Sequence, residues 1–311
     1  MTHYLLIRIL SLVPLWLGIT FLAFVLGSFA PGDPATVIAY RLSDVPPSTE
    51  QIEAVRREFH LDESLPKRYV RWLGRAVSGD LGISYRNGQP VLTELITHFP
   101  ATLQIASLAF IIALFIALPL GVMAAVKRGS RWDHLARLVA LFGASLPNYW
   151  LAYLLILFFA VWLGWLPVAG QTQNGTVILP ALTLGLGAAA GLARLMRSSL
   201  LEILSEDFIR TARAKGLSES IVIFRHALKG ALIPVVTVSG IVFGHLLGGA
   251  VIVEQIFAWN GIGKLLIDSI YDRDYPMIQG FVIFTGTVFT LINLLVDMAY
   301  PVLDPQVRFA K

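Results

Sequence analysis

Cysteine is missing from all 311 residues, which excludes disulfides, thiolate metal sites and a cysteine nucleophile and leaves the redox compartment unreadable. Charge is scarce as well: 14% of residues are Asp, Glu, Lys or Arg, against roughly a quarter in soluble domains. The 24 basic side chains outnumber the 20 acidic ones by too little, and too diffusely, for a nucleic-acid partner, and they suit anchors at one membrane face better. No Gly-x-x-x-x-Gly-Lys-Ser/Thr loop occurs, so nothing here cradles nucleotide phosphates. No internal repeat or low-complexity segment stands out either. What fills the chain is hydrocarbon: 56% of residues are hydrophobic, the composition of an integral membrane protein that also has lipid as a partner.

Six apolar runs reach the roughly 20 residues a spanning helix needs: 9–30, 101–126, 135–163, 177–195, 231–256 and 277–303. They predict an all-α membrane protein with six transmembrane helices and both termini on one side. The first run follows Arg8 and resembles the apolar part of a signal peptide, but it is long for that role and "SFAPGDP" offers no convincing small-x-small cleavage site, so it reads as an uncleaved span. Lys127, Arg128, Arg131 and Arg137 flank the second loop, and Arg194, Arg197, Arg210, Arg213, Lys215, Arg225 and Lys229 fill the fourth. The third loop, "GWLPVAGQTQNGT", has no Lys or Arg. This asymmetry places loops two and four and both termini in the cytoplasm. The fifth loop, with Asp268, Asp272 and Asp274 against Lys264 and Arg273, agrees by lying outside.

The first loop, about 31–100, is too long to vote on orientation. It reads as structured: Ser48 and Gln51 have capping-box spacing, and Ile52, Val55 and Phe59 share a helical face. "LPKRYVRWLGRAVSG" predicts a second short helix with Tyr69, Trp72 and Leu73 at the headgroup level. A lid-like platform over the pore mouth is the expectation, and a plain spacer is the alternative.

The fourth loop holds "EDFIRTARAKGLSES". Ser205, Glu206 and Asp207 give it N-cap character and negative charge in the first turn, and Gly216 is placed to end a helix in the left-handed region. Ser218 then starts a second helix through "IVIFRHALKG". The basic residues alone fit any inside loop. Small Ala212, Ala214 and Gly216 on a surface helix make sense where another protein approaches closely.

"RTARAKGLSESIVIFRHALKGALIPVVT" resembles the cytoplasmic signature of type I ATP-binding-cassette (ABC) importer permeases, a Glu-Ala-Ala triplet with Gly four residues after its last Ala. Arg210, Thr211 and Ala212 stand at the triplet, followed by Gly216; the glutamate is absent, a departure similar to the branch that imports peptides and nickel, where the Ile233-Pro234 ending also recurs. "PGDP", "GDLGISYRNGQPV", "SLPNYWLAYLLI" and "VIVEQIFAWNGIGKLLIDSIYDRDYPMIQG" extend the resemblance over nearly the whole chain. Asn260 stands where relatives often have proline, which predicts a looser outer turn.

The resemblance implies a type I permease fold: a first transmembrane helix with a structured extracytoplasmic loop over 1–97, a core over 98–304 with a coupling loop at 197–230, and a cytoplasmic tail at 305–311. It implies that Arg210, Thr211, Ala212, Ala214, Lys215, Gly216 and Leu217 couple to an ATPase. Glu254, Phe257, Gly261 and Gly263 would then form the outer gate. The implied partners are a second, homologous permease subunit, two cytoplasmic ATPase subunits or domains and an extracytoplasmic solute-binding protein, in a bacterial inner membrane. ATP and Mg belong to the partner ATPases, and this chain is a transport subunit with no cofactor of its own. "YRLSDVPPSTEQI" and "SLPNYWLAY" look closer to nickel and metal-chelate permeases than to di- or oligopeptide ones.

Three further features bear on function. His245 and Asp297 are ionisable residues inside spans, costing roughly 2.5–3.5 kcal/mol each at a helix centre, and they read either as interhelical hydrogen-bonding groups or as substrate-pathway residues. "GLGAAAG" at 185–191 lies inside a span with no preceding strand and reads as close helix packing rather than a dinucleotide loop. Ser239 and His245 are six apart, on different helical faces, and make no hydrolase pair. The competing function class is an autonomous secondary transporter or channel, which would work without an ATPase.

Overall fold

The structure, a computed structural model, describes residues 2–28, 33–42, 46–170 and 176–303. Its helices are α1 (Thr2–Ser28), α2 (Pro34–Leu42), α3 (Thr49–Glu58), α4 (Leu65–Val77), α5 (Val91–Val126), α6 (Arg131–Ser145) and α7 (Asn148–Leu155), which runs into a π-helical segment, Ile156–Trp162. There follow α8 (Ile178–Leu204), α9 (Asp207–Ala214), α10 (Glu219–Ile221), a second π segment at Val222–Ala227, α11 (Leu228–Ile256), α12 (Ile262–Tyr271) and α13 (Tyr275–Leu303). Among the described residues, extended pairing on this helical frame amounts to an isolated bridge between Ile83 and Pro90.

Among the described residues, four helices are long and apolar enough to cross a membrane: Val91–Val126, Ile178–Leu204, Glu219–Gly248 and Tyr275–Val296. The run at 135–163, expected as one span, is instead two helices, Arg131–Gly143 and Asn148–Trp162, bent by 105°. Pro147 causes the break. It has no N–H to continue the ladder and forces Leu146 before it into an extended conformation, φ −82° and ψ 126°. With that pair counted as one span the number is five. α1 is 27 residues long, and its side chains are described from Leu12 onward.

The chain divides into two compact units, Met1–Pro100 with Lys264–Thr290, and Ala101–Gly263 with Leu291–Lys311. The second unit is built on small residues. Ala109, Ala113, Ala117 and Ala125 of α5 are all buried at four-residue intervals, with Gly121 in phase. Gly185, Ala189 and Ala193 repeat the interval on α8. A Cβ on Gly185 would lie 2.8 Å from the Ala109 carbonyl oxygen, and one on Gly121 would lie 2.8 Å from that of Ala193. The two backbones are therefore nearly in contact, which is how membrane helices associate where lipid removes the hydrophobic drive. Of the 185–191 glycines, Gly185 serves this packing, while Gly187 faces Asn148 of α7 and Gly191 has nothing within 4 Å of where a Cβ would stand.

In the first unit, Asp33 and Pro34, the described half of "PGDP", start a helix. Asp33 accepts from the backbone N–H groups of Ala35 and Thr36 and from the Thr36 hydroxyl, and Pro34 takes the first helical position. Arg56 of α3 pairs with the same carboxylate at 2.9 Å, beside a cluster of Ala35, Ile38, Ala39 and Val55 that joins α2 to α3. Burial alone would raise the Asp33 carboxyl; the Thr36 hydroxyl, Arg56 and the backbone donors outweigh it and hold the group below the usual carboxylate range. The Ser48–Gln51 capping box forms in both directions. α3 stops at Glu58, however, so Phe59 is its C-cap and stays exposed rather than joining the apolar face. Tyr69 and Trp72 pack on Phe24 of α1, with centroids 5.4 and 5.6 Å away, and the Tyr69 hydroxyl lies 3.1 Å from that of Thr20. The loop 79–91 turns on Gly79, Gly82 and Gly88, all at positive φ, and its Ser84 hydroxyl donates to buried Asp274. Burial, and then the Asp274 charge, push the neighbouring Tyr85 phenol up to about 12.

Candidate functional site

Two places in the second unit hold most of the residues singled out by sequence, and they are built differently. The first is α9. Its N-cap is Glu206, in extended conformation and without a side-chain cap bond, while the Ser205 hydroxyl turns back to the Glu202 carbonyl at 2.6 Å. The expected serine cap is therefore not made there. Ser218 holds the N-cap position of α10, again through its backbone only. Gly216 ends α9 at φ +79°, as its spacing predicts, with nothing within 4 Å of where a Cβ would stand.

Ile209 and Ala212, one turn apart, are buried. They share a cluster with Ala125 of α5, Met196 and Leu200 of α8, Val222, and Ala231 and Val235 of α11. This corrects the expectation for Ala212: its smallness lets α9 lie close on its own chain, not close to a partner. Burying the Ile209 side chain contributes roughly 1.5–3 kcal/mol to holding α9 there. The outward face carries Asp207, Arg210, Thr211 and Ala214, with Phe208 and Lys215 on one flank, all exposed. Arg210 pairs with Asp207 at 3.2 Å, and the Thr211 hydroxyl donates to the Asp207 carbonyl at 3.0 Å. Leu217 is half-buried against the cluster. Across the Gly216 turn, Arg213 donates to Glu219 from Nε at 2.7 Å and from Nη2 at 3.3 Å, a fork that sets the angle between α9 and α10.

The second place is the far end of α11. Glu254 is fully buried, and its Oε1 accepts from the Thr102 hydroxyl at 2.6 Å; Thr102 Oγ1 in turn accepts the Ile262 backbone N–H at 2.9 Å. This relay joins α5, α11 and α12. Glycine is required at both neighbouring positions: a Cβ on Gly261 would strike the Glu254 carboxylate and Thr102 Oγ1, and one on Gly263 would strike Val251 and the same carboxylate. Phe257 is buried, and its carbonyl accepts from Gly170 N–H at 3.0 Å. The turn expected to loosen at Asn260 is tied down by Trp259, whose N–H reaches the Glu254 carbonyl at 2.8 Å and whose indole reaches the Ala101 carbonyl at 2.9 Å. Glu254, Phe257, Gly261 and Gly263 thus come together, with Thr102 as the member that sequence reasoning does not find.

His245 is on an exposed face of α11 and makes an interaction of its own. Asp297 lies in α13 with its side chain outside the described ones. Ser239 donates back to the Val235 carbonyl at 2.7 Å, an intrahelical bond. Arg197, a topogenic charge by sequence, forks onto buried Asp133 at 2.8 and 3.0 Å and fastens α8 to the start of α6.

Residues 117–309 match the family described as binding-protein-dependent transport system inner membrane component, and residues 1–106 match its N-terminal companion. The chain belongs to this family. It is the permease subunit of an ABC importer of the inner membrane. Among its relatives is the glutathione transport system permease protein GsiC of Escherichia coli strain K12, 42% identical over 99% of this chain and 100% of that protein. The same-named protein of Shigella flexneri serotype 5b is 41% identical over the same extents. Among solved structures, an inward-facing MetNI methionine ABC transporter matches with a TM-score of 0.58 at 22% identity, covering 68% of this chain and 96% of that one. An amino acid ABC transporter solved with histidines matches with a TM-score of 0.52 at 16% identity, over 69% and 94%. At these identities the likeness carries the fold, which is that of a type I importer permease.

Proposed function

We propose that this permease subunit conducts a small peptide of the glutathione class inward across the membrane by alternating access, driven by ATP hydrolysis in two separate cytoplasmic ATPase subunits. A second, homologous permease completes the pathway, and a solute-binding protein delivers cargo from outside. Six spans, with both termini and α9 on the cytoplasmic side, follow the Lys and Arg asymmetry of the loops. Mg and ATP belong to the partners.

The observation that carries the reading is the two-faced construction of α9. Its inner face is fixed on α5, α8 and α11 by Ile209 and Ala212, and its outer face offers Arg210, Thr211, Ala214 and Lys215 to solvent. A helix so mounted transmits rigid-body movement of a docked ATPase into the bundle. α11 starts beside it at Leu228 and extends about 39 Å, at 1.5 Å per residue, to the Glu254 relay, which serves as the outer gate. His245 and Asp297 are assigned to the pathway between them.

Peptide cargo is preferred over nickel because relatives covering the whole chain carry a glutathione name. Among the described residues no three His, Cys, Asp or Glu side chains gather as a metal site. The test of coupling is Gly216→Asp. The position is open and its φ suits Asp better than most residues, so the protein inserts and folds while transport by the whole complex is lost. Transport at the normal rate would overturn the assignment. For cargo, the partner binding protein is titrated with glutathione, dipeptides, nickel and a nickel chelate; tight binding of nickel alone rejects the peptide reading. Uptake by this chain without ATPases would instead establish a secondary transporter or channel.

A further inference from the structure

The second loop and the start of α6 form a surface that coupling leaves unused. Lys127, Arg128, Arg131 and Trp132 are exposed, Trp132 by 53%, and the Lys127 ammonium lies 5.8 Å from the Trp132 ring centre. Leu135, Leu138 and Phe142 follow Arg131 at four, seven and eleven residues, which is one helical face, and all three are exposed. The stretch has one carboxylate, and it faces inward: Asp133 is buried, receiving the Arg197 fork and the Gly129 N–H at 2.9 Å. Arg137 also leans on Asp133, at 3.5 Å, and bonds to His134. The exposed charge over 127–138 is therefore of one sign.

We propose that this surface binds an anionic phospholipid, with the phosphate headgroup held by Lys127, Arg128 and Arg131, the Trp132 indole at the interface, and an acyl chain along Leu135, Leu138 and Phe142. A water-soluble partner would satisfy the cations but leave the apolar stripe bare. A lipid satisfies both, and the chain is an inner-membrane protein.

The test uses the assembled transporter in vesicles containing brominated phosphatidylglycerol or brominated phosphatidylcholine. Because the chain has seven tryptophans, the signal is the quenching lost in Trp132→Phe. Brominated phosphatidylglycerol should quench Trp132 at the lower mole fraction, and each of Arg128→Gln and Arg131→Gln should narrow that advantage by about five-fold. Arg128→Lys with Arg131→Lys should keep it, which separates lost charge from lost fold. Equal quenching by the two lipids overturns the proposal, as does an advantage surviving Lys127→Gln/Arg128→Gln/Arg131→Gln. Displacement by free inorganic phosphate also overturns it, and so does a Trp132 shielded from both lipids, the mark of a protein partner on this face.

Discussion

α9 and the Glu254 relay sit at opposite ends of α11 and solve opposite problems. α9 is seated on the bundle by apolar burial, its side-chain fork reaching only the neighbouring α10, so Arg210, Thr211 and Lys215 stay exposed on the outside. The Glu254 relay turns its polar groups inward, where Thr102 and the Ile262 N–H use them up, and glycines at 261 and 263 close the chain around the carboxylate. Apolar anchoring tolerates sliding and leaves a surface free to bind, whereas a buried hydrogen-bond relay admits few arrangements. The difference supports the proposed roles, transmission of movement at α9 and a discrete open-or-closed turn at the Glu254 relay.

The comparison breaks most severely at Gly261→Val, because the added atoms overlap a buried carboxylate with no room to move; loss of folded protein, read by size-exclusion chromatography, is expected. Next is Ile209→Ala, which should cost about 2–5 kcal/mol at the α9 seat and lower the unfolding temperature. Thr102→Val removes the hydroxyl donated to Glu254 Oε1 and the acceptor of the Ile262 N–H, an expected loss of about 1–3 kcal/mol, and Thr102→Ser should recover most of it. Arg213→Gln removes a largely exposed fork, so the unfolding temperature should move less than in any of these and not at all at high salt. Smallest is the pH effect at Asp33. Its folded pKa lies below the unfolded value of about 3.9, so the anchor between α2 and α3 is intact above that pH and weakens as pH falls through the folded value. Hydrogen exchange at Ala35 and Thr36 reads it, and Asp33→Asn should abolish the dependence.

Local features are legible in the sequence: the Ser48–Gln51 box, the Gly216 turn and the small-residue interval through Gly185, Ala189 and Ala193 each depend on residues a few positions apart. The Ile209–Ala212 face has the same range, since their spacing of three marks one side of a helix, but their basic neighbours make the outer side the more conspicuous one. Pro147 is visible in "SLPNYW" and is hidden by averaging hydropathy over the run 135–163. Thr102 leaves no local trace, because its partner Glu254 is 152 residues away. Asp133 and Arg197, 64 residues apart, look like ordinary loop charges for the same reason.

The absence of cysteine allows the central claim to be tested without background. Thr211→Cys, Ala214→Cys and Ala212→Cys would be introduced singly and cross-linked in the assembled transporter. The account predicts adducts between the partner ATPase and positions 211 and 214, on the outward face of α9, and none from buried 212. Cross-linking from 212 alone, or from none of the three, would contradict it.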